Sequence, residues 1–218
     1  MLGRALQLAG IVLGPIGLAL HFYVALQYGA ANGYSVAGSV VFYLSFFTIQ
    51  THILVVLVYW AALPGAPAFL APFGGVRIKA ALIVAMSVVS VVYMVALQNL
   101  WDPQGVAYAG DLILHYLAPA IFLAWWLVAG RDGSLRFRDL PWFAVFPLAY
   151  FAYVMARAEI AGEVPYPFLD YTQLGLAGLL RSVLSILVLF LGFGAVYVLV
   201  DRSLRDPRSP DLRPRRNP

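Results

Sequence analysis

The chain has 218 residues, of which 62% are hydrophobic and only 11% are charged, and its formal net charge is +4. Soluble domains average roughly 25% charged residues, so this composition excludes a soluble globular protein as the bulk of the chain. Cysteine is absent, which excludes disulfide bonds and thiol catalysis, and the basic residues are too dispersed to form a nucleic-acid-binding patch.

Apolar runs of about 20 residues, long enough as α-helix to cross the ~30 Å core of a bilayer, recur along the chain. Hydropathy predicts six transmembrane helices, near residues 5–28, 39–62, 78–98, 106–129, 141–159 and 174–200. The first run is too long for a signal peptide, so we expect it to be retained as a span. The predicted fold class is all-α, a polytopic six-helix membrane bundle that occupies residues 1–200 as one domain.

Basic residues sort to one side of this six-span arrangement. Twelve of the fourteen fall at the N-terminus, in the second and fourth joints or in the C-terminal tail, and the exceptions are Arg157 and Arg181. The positive-inside rule then predicts that both termini are cytoplasmic. The tail, residues 201–218, mixes arginine with proline, and we expect it to be disordered and to contact anionic lipid.

Several polar groups gather in one half of the predicted spans. Counted at 1.5 Å per helical residue, they lie roughly 3–14 Å below the outer boundary of the membrane. The members of this polar layer are His21, Thr48, His115, Arg157 and Arg181. Because lipid-facing positions would not tolerate such groups, we expect an internal cavity that opens outward.

Helical spacing adds neighbours to two members of the layer. Ser45, Thr48 and His52 share one helix face, and Asp111 shares another with His115. A threonine hydroxyl needs a neighbouring base to act as a nucleophile, and histidine is the usual base near neutral pH. The layer therefore fits acyl transfer from a hydrophobic ester to water. In that case Asp111 either orients His115 or faces water at the span end.

Two arginines of the layer, Arg157 and Arg181, are candidates for holding a substrate carboxylate or stabilising an oxyanion. Arg181 is also placed to pair with Glu159, Glu163 or Asp170. The joint VPYPFLD combines turn-forming prolines with interfacial aromatic residues, which is typical of an outer lid and rim. Asp170 is also positioned to cap the sixth helix.

Other functions fit the same residues. A lone intramembrane threonine usually bonds a carbonyl of its own helix, and a lone histidine usually ties two helices together, which is our interpretation of His21. His52, one turn from Thr48, is either a second base or a packing residue. A proton-coupled transporter or channel would also use such a polar layer, and a non-catalytic structural protein would not need its chemistry. We find no metal-ligand, phosphate-binding or nucleotide-binding pattern, so we expect no cofactor.

Three segments resemble a known family: LSFFTIQTH in the second span, LHYLAPAIFLAWWL in the fourth, and VPYPFLD in the fifth joint. Together they resemble the androgen-induced and androgen-dependent six-span membrane proteins of animals, and more closely their bacterial relatives. The animal members hydrolyse fatty-acid esters of hydroxy fatty acids with an intramembrane Thr and His. The resemblance implies a lipid-ester substrate, a bacterial plasma membrane, Thr48 (aligned through Phe46) as nucleophile and His115 as its base. A shifted register would place Ser45 at the nucleophile position.

Overall fold

The computed structural model describes residues 1–203, and all regular structure in that range is helical. Within it eight α-helices follow one another: α1 (Leu2–Ala31), α2 (Val36–Leu44), α3 (Phe47–Ala61), α4 (Val76–Val92), α5 (Gly105–Leu112), α6 (Ala118–Trp125), α7 (Leu140–Ala161) and α8 (Tyr171–Arg202). Short π-helical segments follow three of them: Tyr93–Leu97 after α4, Ile113–Leu117 after α5 and Trp126–Gly130 after α6. Turns of 3₁₀-helix cover Ala68–Gly74, Phe137–Asp139 and Pro167–Leu169. The predicted disordered tail lies outside the described residues from residue 204 onward.

Five helical segments are long and apolar enough to cross a membrane: Leu2–Ala31, Val76–Leu97, Gly105–Gly130, Phe137–Ala161 and Tyr171–Arg202. Their bounds lie within a few residues of five of the six predicted spans. The all-α, multi-span architecture is therefore confirmed, and its apolar helices are those of an integral membrane protein.

The second predicted span is broken near one end. α2 and α3 are bent by 78° at Ser45 and Phe46, so they form a sixth span only as a bent pair. Phe46 has an extended backbone, with φ −83° and ψ 131°, which differs from the conformation of a helix interior. The prediction of one continuous helix over residues 39–62 is wrong at this point, because both sides of the break are apolar and hydropathy does not mark it.

Two side chains, one from α7 and one from α3, bind carbonyl groups that the break leaves without helical partners. The Tyr150 hydroxyl of α7 donates to the Ser45 carbonyl at 2.8 Å, and the Gln50 amide donates to the Leu44 carbonyl at 2.9 Å. Unpaired backbone groups are costly in hydrocarbon, so these bonds stabilise the break. They depend on the tertiary fold and are invisible in a hydropathy profile.

α1 approaches α3 and α5 closely because glycines line its contacts. A Cβ added at Gly10 would lie 2.2 Å from the ring of Tyr59, so a larger residue there would displace that ring. On the facing helix α5, a Cβ at Gly110 would lie 2.8 Å from the ring of His21. The close approach of α1 to α5 thus places His21 against the part of the bundle that contains Asp111 and His115.

The end of the bundle away from the break has an apolar core, in which Tyr59, Phe122 and Trp126 are almost wholly buried. There the buried carboxylate of Asp201, at the end of α8, accepts hydrogen bonds from the N–H groups of Gly133 and Leu135 at 3.1 and 2.9 Å. These bonds hold the connection between α6 and α7 against α8. Two cavities lie toward the other end, next to the break.

Candidate functional site

Thr48 is the second residue of α3, directly after the break. The first amides of a helix have no carbonyl in a preceding turn to bind, so the Thr48 N–H is available to a group from elsewhere. The Tyr166 hydroxyl, from the loop 162–170, lies 3.4 Å from the Thr48 nitrogen and 3.5 Å from Thr48 Oγ1. The break therefore puts both polar groups of Thr48 at a helix start that faces a tyrosine hydroxyl.

Thr48 and His115 line the same cavity, whose volume is about 460 Å³. Its walls come from α1, α2, the start of α3, the π-helical segment after α4, and the loop 162–170. Aromatic side chains supply much of the lining: Tyr28, Phe42, Tyr43, Phe46, Tyr93, Trp101 and Tyr166. Two residues that are 67 positions apart in the sequence thus face one cavity.

A second, smaller cavity of about 90 Å³ adjoins Thr48 from another side. It is an apolar crevice between α3, α4, α7 and α8, with walls of Val, Leu, Ile, Phe and Pro side chains. Thr48, Leu97 and Tyr166 line both cavities. The threonine hydroxyl accordingly lies where a roomy cavity containing a histidine meets a narrow apolar crevice.

His115 belongs to a cluster built around the buried carboxylate of Asp111. His115 Nδ1 lies 3.1 Å from Asp111 Oδ1, and His21 Nε2 lies 3.5 Å from the same oxygen. The Tyr93 hydroxyl donates to Asp111 Oδ2 at 2.5 Å. The proximity predicted from the spacing of Asp111 and His115 is confirmed. With Nδ1 turned toward the carboxylate, Nε2 is the ring nitrogen left for chemistry in the cavity.

Two members of this cluster were not recognised in the sequence. Tyr93 stacks on the ring of His115, with centroids 3.7 Å apart and planes 8° from parallel. His21, interpreted as a packing residue, contacts Asp111 and lines the larger cavity. Sequence spacing gives no signal for either contact, because both join residues on different helices.

Tyr93 and His115 each lie in a π-helical segment, a local widening of a helix that is frequent at functional sites. Pro119 has no N–H to donate to the His115 carbonyl, and the Ser90 hydroxyl donates to it instead at 2.9 Å. The proline four residues after His115 was the sequence signal for this irregularity.

Ser45 and His52 share a helix face with Thr48 in the sequence pattern, but the structure gives them other partners. Ser45 Oγ donates to the Val41 carbonyl at 2.6 Å and lies 3.0 Å from the Tyr153 hydroxyl. His52 is buried, and its Nδ1 lies 2.7 Å from the carbonyl oxygen of Thr48, not from the hydroxyl. Neither residue lines either of the two cavities next to Thr48. These three contacts hold the backbone around the break.

The two arginines of the predicted polar layer lie outside both cavities. Arg157 forms an ion pair with Glu163, whose other oxygen accepts a hydrogen bond from the Tyr34 hydroxyl at 2.9 Å. Arg181 is exposed on α8, and no ion pair among residues 1–203 includes it. Its expected pairing is wrong because the acidic groups in question have other partners.

Those partners are local. Glu159 accepts a hydrogen bond from the Tyr171 hydroxyl, and Glu163 is held by Arg157. Asp170 caps α8 as predicted, accepting from the Thr172 N–H at 3.0 Å and from the Thr172 hydroxyl at 2.6 Å. These hydrogen bonds lower the pKa of the Asp170 carboxyl below its ordinary value.

The fold and the site together define a class: an all-α, multi-span membrane protein with a threonine and a histidine–aspartate pair at one cavity. Within residues 1–203 no group of three or more His, Cys, Asp or Glu side chains is arranged to hold a metal ion. Comparison of the chain with protein-family models, with curated proteins and with solved structures gives no match.

Proposed function

We propose that the protein is an intramembrane hydrolase of long-chain lipid esters, such as fatty-acid esters of hydroxy fatty acids. Thr48 is the nucleophile and His115 is the general base. The observation that carries the proposal is that both residues line one cavity while Thr48 also borders an apolar crevice. The resemblance of the Thr48 and His115 segments to the androgen-induced family supports the same assignment.

The reaction would proceed through an acyl-threonine. His115 Nε2 accepts the proton of the Thr48 hydroxyl as Oγ1 attacks the ester carbonyl carbon, and the carbonyl π electrons move to its oxygen. When the intermediate collapses, the bond from carbon to the alcohol oxygen breaks and His115 returns the proton to the leaving alcohol. Water then attacks the acyl-threonine by the same sequence, which releases the fatty acid and restores the hydroxyl.

Asp111 would hold the base in the required state. Its carboxylate faces Nδ1 of His115, so it favours the tautomer that has the Nδ1 proton and a free Nε2. It also stabilises the imidazolium that forms when Nε2 takes the proton from Thr48. The Tyr93 hydrogen bond and the stacked Tyr93 ring hold the carboxylate and the imidazole in place.

Substrate binding would rest on apolar contact. The acyl chain would enter the open apolar crevice beside Thr48, and the alcohol portion and the attacking water would occupy the larger cavity. Each buried methylene contributes about 0.8 kcal/mol, so a chain of a dozen carbons contributes up to roughly 9 kcal/mol of gross binding energy. Recognition therefore needs no arginine in the cavity.

The experiment that tests the function uses the purified protein in detergent or in vesicles. We expect it to hydrolyse long-chain esters, with a preference over short-chain esters of the same alcohol, and to be labelled covalently by a lipid fluorophosphonate at Thr48. Failure of the wild-type protein both to hydrolyse such esters and to react with the reagent would contradict the proposal. A proton flux into vesicles without hydrolysis would favour the transporter class instead.

We also propose that the protein lies in a bacterial plasma membrane with both termini in the cytoplasm. The basic residues on one side of the six-span arrangement support this orientation. The chain has no native cysteine, so single cysteines can report it directly.

Cysteines introduced in intact cells at the exposed residues Asn32 and Gln104 should react with a membrane-impermeant thiol reagent, while cysteines at Ala68 and Ser134 should react only after lysis. The reverse labelling pattern would show that both termini lie outside the cell. Labelling of Asn32→Cys and Ala68→Cys together in intact cells would mean that the bent pair of α2 and α3 does not cross the membrane.

A further inference from the structure

Tyr166 joins the two cavities at Thr48. Its side chain is 8% exposed, although it comes from the loop 162–170 rather than from a helix of the bundle. Its ring packs edge-on against Phe46, with centroids 5.8 Å apart, and stacks on Phe168 at 5.1 Å. These contacts direct the hydroxyl to the start of α3.

The hydroxyl of Tyr166 and the amide of Thr48 are spaced like a pair of donors for one oxygen. Without substrate, the Thr48 N–H donates to the Tyr166 hydroxyl oxygen across 3.4 Å, which is long for such a bond. A substrate oxygen to one side of the line that joins the two heavy atoms could lie about 2.9 Å from both, the distance of a donor in an oxyanion hole. Hydrogen bonds of this kind are often long in a site without substrate and shorten when it binds.

Both groups can donate at neutral pH. Burial raises the pKa of the Tyr166 phenol above its ordinary value, so the hydroxyl keeps its proton. The Thr48 amide is one of the N–H groups at the start of α3 that have no partner within the helix, and the helix dipole there also favours negative charge. A nucleophile whose own amide binds the oxyanion is also found in the serine-protease arrangement.

We propose that the Tyr166 hydroxyl and the Thr48 N–H form the oxyanion hole of the site, which makes Tyr166 a catalytic residue. This inference rests on the proposed function. As Thr48 Oγ1 bonds to the carbonyl carbon, the π electron pair moves to the carbonyl oxygen, and the two donors bind the resulting anion. When the C–O bond to the alcohol breaks, the pair returns to re-form the carbonyl, and neither donor loses its proton.

The same assignment gives Arg157 a different role from the one its sequence position suggested. The ion pair of Arg157 with Glu163, and the bond from Tyr34 to Glu163, anchor one end of the loop 162–170. The cap formed by Asp170 anchors its other end. Arg157 is thus a positioning residue that holds the loop from which Tyr166 enters the site.

Tyr166→Phe tests the proposal because it removes one oxygen atom and keeps the ring. We expect kcat for ester hydrolysis to fall about 100-fold with KM changed by no more than a few-fold, since losing one such donor typically costs about 10²–10³ in kcat. The limiting rate of fluorophosphonate labelling at Thr48 should fall with it, because the phosphonyl oxygen occupies the same position. Tyr153→Phe is the matched control, since its hydroxyl contacts Ser45 outside both cavities and should leave these rates unchanged.

A second measurement tests the proposal if the Tyr166→Phe variant does not fold. Replacing Tyr166 with 3,5-difluorotyrosine preserves the ring and hydroxyl but makes the phenol more acidic. Because only the protonated phenol donates, the alkaline limit of kcat should move to lower pH.

Three results separate the possible failures. An inactive, unlabelled wild-type protein contradicts the proposed function. An active wild-type protein whose Tyr166→Phe variant is folded and retains full kcat overturns the oxyanion assignment alone. If the variant does not fold, an unchanged pH profile for the difluorotyrosine protein overturns that assignment equally.

Discussion

Thr48→Ala is expected to reduce ester hydrolysis to the background rate, a loss on the order of 10⁴-fold or more, as found when the nucleophile of a comparable hydrolase is removed. The change removes the atom that forms the acyl intermediate. The side chain is small and bordered by cavities, so we expect the variant to fold with a melting temperature close to that of the wild-type protein. Initial rates and fluorophosphonate labelling of the two proteins, with thermal melting in detergent, provide the measurement.

Ser45→Ala is the matched control for this change. Ser45 also has a hydroxyl at the helix break, but that hydroxyl is bonded to Val41 and Tyr153 away from the cavities. The variant should keep full labelling and most of the activity, and Thr48→Ser should keep part of it. If Thr48→Ala kept full activity and its labelled peptide contained Ser45, the nucleophile would be Ser45.

His115→Gln is expected to lower kcat on the order of 10⁴-fold, because glutamine cannot accept the proton of the Thr48 hydroxyl at neutral pH. Glutamine still fills much of the volume beside Tyr93, so packing should change little. Single-turnover measurements should show that formation of the acyl intermediate, rather than its hydrolysis alone, has slowed.

The His21→Gln variant tests whether His115, rather than the neighbouring His21, is the general base. His21 contacts the same carboxylate, at 3.5 Å, but we assign it no proton transfer, so its replacement should change kcat less than tenfold. Equal losses for the two variants would mean that the two histidines and Asp111 act as one unit. A larger loss for His21→Gln than for His115→Gln would exchange their roles.

The five long helices were predictable because a span of about 20 apolar residues is a property of local sequence. The proximity of Asp111 and His115 was predictable for a related reason, since residues four apart face the same side of a helix. The depth estimate along two separate helices placed Thr48 and His115 at a similar level, and the two residues do line one cavity.

The parts of the site that were not predicted depend on contacts between distant segments. Residues 39–52, which surround the break at Ser45 and Phe46, contain no proline or glycine, and backbone groups at the break are bound by side chains such as Tyr150. Tyr93 and Tyr166 reach the site from a neighbouring helix and from a loop, and in the sequence they are two of thirteen tyrosines. That Glu163 pairs with Arg157 rather than with Arg181 likewise depends on how the loop 162–170 folds.

The break also shortens the apolar barrier at the site. α3 has 15 residues and is therefore ~22 Å long, less than the ~30 Å hydrocarbon thickness of a typical bilayer. A helix that is too short for the bilayer is accommodated by local thinning of the lipid around it, at a cost that grows with the mismatch. Thr48 stands at the end of this short helix, so in the proposed orientation water and the polar end of a lipid would reach it over a shorter distance than in a continuous span. For the proposed reaction, the thickness of the surrounding membrane would then affect the supply of both the ester and the water.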